Sequence, residues 1–182
     1  LTSTDDYEQL LNKAYLTEAV LPYIDLLTDD ISYIVADRDP RFGNVADSYL
    51  GAYMWDNNIE STMPNGDEVF RKFYNSIYYT NVVIDEVDQA VGISSNKEET
   101  ERIRGYLKGE AYALRAFRYL YLVNMYAPPY DPATSSTTPG IPINLETSAD
   151  DKPYTREMLD KVYEQIVDDL KKAIPLMEEN YV

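Results

Sequence analysis

Residues Ile103 to Tyr126 read IRGYLKGEAYALRAFRYLYLVNMY, and this stretch decides the fold. Taking every third or fourth position gives Ile103, Leu107, Glu110, Leu114, Phe117, Tyr121 and Asn124, with Ala111 and Met125 beside them. That spacing is the stripe of a helix buried along one side. A carboxylate on such a stripe is costly unless partnered, so Glu110 is expected to meet a cation or backbone donors, with Arg115 and Arg118 as candidate cations. The Glu110–Arg115 pair is therefore read as structural. Small residues at Gly105, Gly109, Ala111, Ala113 and Ala116 permit close approach of other helices, although each glycine costs roughly 1 kcal/mol of helix propensity.

Working outward, the chain is all-α in pattern. Tyr7, Leu10, Leu11, Ala14 and Tyr15 make a first stripe behind a capped start at Ser3 to Asp6. A second helix is predicted from Pro22, with Ile24, Leu27, Ile31 and Ile34 on one face. Residues 36–66 lose periodicity and hold Pro40, Gly43, Gly51, Pro64 and Gly66, so they read as a long irregular loop with one short helix near Asp47 to Tyr53. Loops of that length are often functional. Helix returns from Asp67 to Val91, with Phe70, Phe73, Tyr74, Ile77, Ile84 and Val87 inward and Gly92 as terminator. Ser95 and Glu98 have the spacing of a capping box for the helix that follows. Residues 127–153 contain six prolines and form a second, extended excursion. A last helix is predicted from Thr155, with Val162, Ile166, Leu170, Ala173 and Ile174 inward and ended or bent by Pro175. Antiparallel helical pairs of this kind are tetratricopeptide-like, although the consensus of that repeat is not visible.

Composition excludes several functions. The 182 residues suffice for one domain with a sizeable core. Sixteen basic against 32 acidic residues give a formal charge of −16, which argues against a nucleic-acid partner and against direct attraction to an anionic membrane. Cysteine and histidine are both absent, which removes disulfides, thiol nucleophiles, histidine-based triads and the usual zinc sites. No apolar run reaches the roughly 18 residues of a membrane span.

Acidic pairs such as Asp29-Asp30 and Asp168-Asp169 do not make a glycosidase, because adjacent helical residues point apart rather than across a cleft. Asp37-Arg38-Asp39 opens like a calcium loop, but Arg41, Phe42 and Ser48 occupy its acid, glycine and closing glutamate positions. No metal, cofactor or catalytic residue is assigned. What remains is the loop around the single tryptophan. Tyr53, Trp55, Asp56, Asn57 and Asn58 place an aromatic face beside amides and a carboxylate, the groups that stack on a sugar ring and bond its hydroxyls. Asp37 and Arg38 are weaker candidates in the same loop. The competing reading makes Trp55 an anchor that packs the loop onto the helices.

Gly109-Glu110-Ala111, Leu114-Arg115-Ala116-Phe117, Tyr121-Leu122-Val123 and the exit Tyr126-Ala127-Pro128-Pro129 together resemble the signature helix of the SusD/RagB family. Phe73-Tyr74, Ile77, Asn81, Val83 and Ile84 resemble the family's preceding helix. The stretch from Tyr154 to Pro175, with a tyrosine, an isoleucine, then Asp-Leu and Ala, resembles its later one. The likeness covers residues 68–178. It departs where the family often has Trp at Phe70 or Phe73 and Gly at Ala127.

The resemblance implies a non-enzymatic outer-membrane lipoprotein that binds a glycan or other nutrient and passes it to a SusC-like TonB-dependent transporter in polysaccharide utilization. It implies helical pairs wrapped by irregular loops, one helical domain over 1–182 that forms the N-terminal part of a longer chain, and membrane attachment only through a lipid anchor upstream of Leu1. The alternative reading is a helical-repeat scaffold that binds proteins.

Overall fold

The computed structural model describes residues 1–16, 28–29, 50–57, 68–93, 95–148 and 153–180. Among them the regular elements are helices: α1 (Thr4–Leu16), α2 (Leu50–Tyr53), α3 (Glu68–Glu86) followed by a 3-10 turn (Val87–Gln89), α4 (Lys97–Tyr126) and α5 (Leu159–Asn180). The only extended pairings described are isolated bridges, Ser3 with Val91 and Pro139 with Met158. The fold is all-α, as the pattern predicts. None of the described helices is long and apolar enough to cross a membrane. The chain divides into two compact units, Leu1–Glu18 with Phe73–Val182, and Ala19–Lys72. The helix predicted from Pro22 lies outside the described residues.

α1 opens on a reciprocal cap. The Asp6 amide donates to Ser3 Oγ at 3.3 Å, and the Ser3 and Thr2 amides donate to Asp6 Oδ2, each at 2.9 Å. Tyr7, Leu11 and Ala14 bury their faces against Val83, Ile84, Val87, Ala90, Leu107, Ala111 and Leu114, which form the core of the larger unit. Phe73 and Ile77 of α3 are also buried, whereas Phe70 and Tyr74 are only half-buried.

α4 packs most extensively on α5. The approach is close at Gly109, where an added Cβ would stand 3.0 Å from Leu176 Cβ and 3.2 Å from the Ala173 carbonyl oxygen. Glycine is needed there because α5 occupies the space a side chain would fill.

The helices differ from the sequence expectations at four further points. The buried face of α4 follows the predicted stripe at Leu107, Ala111 and Leu114. Beyond Leu114 it runs through Arg115, Arg118, Tyr119, Leu122 and Val123, leaving Phe117, Tyr121 and Asn124 exposed. Each step along a helix turns the face by about 100°, so burial of Arg115 and Arg118 moves the stripe off Phe117 and Tyr121. Second, α4 is capped by Asn96, whose side chain accepts from the Glu98 and Glu99 amides at 3.0 and 3.4 Å, in place of the Ser95/Glu98 box. Third, α5 begins at Leu159, not Thr155, because residues 157–159 pair with the extended segment first: the Gly140 amide donates to the Glu157 carbonyl at 2.7 Å and the Glu157 amide to Ile141 at 3.1 Å. Fourth, α5 buries Leu159, Val162, Ile166, Asp169 and Ala173, leaving Leu170 and Ile174 exposed, and it continues through Pro175 to Asn180.

Candidate functional site

The polar residues of the three helical stretches meet in one buried network. Arg115 of α4 donates from Nε to Asp169 Oδ2 at 2.8 Å and from Nη2 to Oδ1 at 2.7 Å, the two-pronged geometry of a guanidinium on a carboxylate. Its Nη1 donates to Asn81 Oδ1 of α3 at 2.8 Å. The Asn81 amide nitrogen in turn donates to the Asn144 and Glu146 carbonyls at 3.0 and 3.2 Å. Tyr119 holds the same segment, donating from its hydroxyl to the Asn144 carbonyl at 2.7 Å and accepting from the Asn144 amide at 2.8 Å. Burial pushes that hydroxyl up well beyond the usual tyrosine range, so it stays protonated as a donor. The network joins three helices and clamps an irregular segment that has no ladder of its own.

Arg118, also buried, donates to Ser76 Oγ at 3.1 Å and to the Ala14 and Tyr15 carbonyls at 3.1 and 3.4 Å, satisfying the open C-terminus of α1. Arg156 does the same for α4, donating to the Tyr126 carbonyl at 2.9 Å. Glu110 does not pair with Arg115 or Arg118. It is half-buried and accepts from the Tyr15 hydroxyl at 2.9 Å, while both arginines are committed elsewhere. Burial, reinforced by that carboxylate, holds the Tyr15 hydroxyl well above its ordinary value.

In the smaller unit, α2 ends in a tight turn: the Trp55 amide donates to the Ala52 carbonyl at 3.1 Å and the Asp56 amide to Gly51 at 2.9 Å. Trp55 adopts φ 55°, the left-handed region that costs a side-chain-bearing residue about 1–2 kcal/mol. Gly51 and Ala52 are buried beneath the turn, whereas Trp55 is 67% exposed and Asp56 and Asn57 are exposed beside it. Tyr53 is half-buried. An indole, a carboxylate and an amide thus follow one another, all exposed, on a turn closed by two backbone hydrogen bonds. Of the remaining residues expected in this site, Asp37, Arg38 and Asn58 lie outside the described residues.

A family model described as starch-binding associating with outer membrane, of SusD-like type, matches residues 3–182. The chain belongs to the SusD-like family. The SusD-like fold is similar to three solved structures. A protein described as sugar-binding from Bacteroides vulgatus has a TM-score of 0.69 at 23% identity, and a SusD superfamily protein from Bacteroides thetaiotaomicron 0.67 at 18%. A SusD-like carbohydrate binding protein, also from Bacteroides vulgatus, has 0.65 at 24%. These matches cover 97%, 96% and 100% of this chain but 37% of each of those proteins. No curated protein matches the chain.

Within the SusD-like chain, Asn81, Arg115 and Asp169 are thus the polar contact between the three stretches that carried the resemblance. Periodicity missed Asp169 as a core residue. The signal was its position at helical spacing from Val162, Ile166 and Ala173, an acid on an apolar stripe that required a buried cation.

Proposed function

We propose that this SusD-like chain is a non-catalytic, cell-surface glycan-binding protein at the outer membrane, which captures an oligosaccharide and delivers it to a SusC-like TonB-dependent transporter. The observation that carries the reading is Trp55, held in a left-handed turn with most of its surface in solvent and with Asp56 and Asn57 beside it. Backbone strain and an exposed indole both cost free energy, and a ligand that stacks on the ring would offset them. Tyr53, Asn58, Asp37 and Arg38 complete the proposed site. The family description, starch-binding and associated with the outer membrane, supports the ligand class and the location. We place residues 1–182 as the N-terminal part of a longer protein, consistent with the share of the solved relatives that they span.

Affinity electrophoresis in gels cast with soluble polysaccharides tests this reading. The chain is expected to be retarded by at least one α- or β-glucan or mannan, with retardation lost in Trp55→Ala. Unretarded migration in every gel, together with capture of a protein partner by the helical face, would favour a protein-binding scaffold instead.

A further inference from the structure

A cleft of about 450 Å³ lies in the larger unit, between the segment clamped by Asn81 and Tyr119 and the first turns of α5. Its size is that of small-molecule sites. Ile143, Leu145 and Tyr154 supply apolar surface, and Glu157, Gln165 and Asp168 supply hydrogen-bonding groups. Tyr154 is 45% exposed, so its ring is open to a ligand.

The polar groups are not disposed at random. Lys161, Glu164, Gln165 and Asp168 recur at three- and four-residue spacings, which puts them on one face of α5. Gln165 is fixed by donating to Asp169 at 2.9 Å, so the cleft is anchored to the same buried carboxylate that receives Arg115. Among the described residues, Tyr154, Glu157 and Asp168 make no side-chain hydrogen bond.

Among the described residues, the carboxylates of Glu157, Glu164 and Asp168 line the cleft with one ammonium, Lys161, which is itself 2.7 Å from Glu164, while Glu146 at the rim accepts from the Ser148 hydroxyl at 3.2 Å. The lining therefore accepts far more than it donates. A fitting ligand must bring donors, must not be an acid, and must offer a flat apolar face for the Tyr154 ring.

The geometry points to a second sugar subsite in this cleft, specific for a residue without acidic groups and favouring an amino sugar over a neutral one. It rests on the glycan-binding reading above but is built from different residues. An amino sugar stacks one face on Tyr154 and places its ammonium among Glu157 and Asp168, whereas a uronic acid is repelled.

The test is amide and side-chain NMR on the ¹⁵N-labelled chain with three probes: the glucosamine trisaccharide, maltotriose and trigalacturonate. The expected result is saturable shifts at Asn144, Lys161 and the Gln165 side-chain amide, strongest with the glucosamine trisaccharide and absent with trigalacturonate. Tyr154→Ala should weaken that binding about tenfold, and Asp168→Asn should narrow the preference for the amino sugar over maltotriose. Shifts reproduced by spermidine, with affinity unaltered in Tyr154→Ala, would reduce the cleft to diffuse attraction of cations and overturn the proposal. A responding Trp55 indole with silent cleft resonances would overturn the cleft alone. Silence at both places with all sugars would overturn the glycan-binding reading as well.

Discussion

Arg115 and Asp169, 54 residues apart, grip each other through two hydrogen bonds of 2.8 and 2.7 Å, with side chains 5% and 0% exposed. A buried pair of this kind repays its desolvation only with further hydrogen bonds, and here Arg115 Nη1 donates to Asn81 while the Gln165 amide donates to Asp169. The pair and Asn81 link the buried faces of α3, α4 and α5.

Removing one partner is predicted to be far worse than removing both. Arg115→Leu leaves Asp169 charged and buried and should cost about 3–5 kcal/mol, a drop in Tm on the order of 10 °C by calorimetry. The double variant Arg115→Met with Asp169→Leu should recover a substantial part of that loss. Equal damage from the single and double variants would show that the pair contributes net stability.

The α4–α5 approach predicts a contrast between two glycines. Gly109→Leu meets Leu176 and the Ala173 backbone and should destabilise by about 1–3 kcal/mol in urea unfolding. Gly105→Ala meets only the end of the Asn180 side chain, which can swing aside. Its gain in helix propensity, about 1 kcal/mol, should leave stability near the parent value.

Much of this architecture was legible in the sequence, for identifiable reasons. The apolar spacings of Tyr7, Leu11 and Ala14, and of Val162, Ile166 and Ala173, place those residues correctly in the core because aliphatic burial dominates there. The face of α4 beyond Leu114 was misread because Arg115 and Arg118 are buried against the usual preference of charged residues. Their partners lie on other helices, which local periodicity cannot see. Glu110 was given a cation for the same reason, and its actual donor, Tyr15, is 95 residues away. The Trp55 turn was singled out from composition alone. Its left-handed backbone carries no local signal, since glycine or asparagine would be the expected residue. The cleft beside Tyr154 has no local sequence signature, because it depends on where the 140–148 segment is clamped.

The cap of α1 sets an acid limit. Amides of Ser3 and Thr2, followed by the Ser3 hydroxyl, lower the Asp6 pKa from 3.8 to about 2. A depressed folded-state pKa contributes stability that is fully present above the unfolded value and is lost as pH falls through the folded one. Asp6→Asn should therefore flatten the pH dependence of stability between about pH 4 and 2 and leave its shape above pH 5 unchanged. An unaltered acid limb in the variant would show that other carboxylates set it.

Tryptophan emission tests most directly whether the exposed indole on its hydrogen-bonded turn is the capture point for a glycan. Trp55 is the chain's single tryptophan, so the signal has one source above the tyrosine background. The free protein should emit to the red and be readily quenched by acrylamide. One class of soluble glycan should then shift the emission saturably and shield it from quencher, with the response lost in Trp55→Phe at unchanged Tm. A blue, unquenchable emission that no glycan alters would make Trp55 a packing anchor and contradict the account.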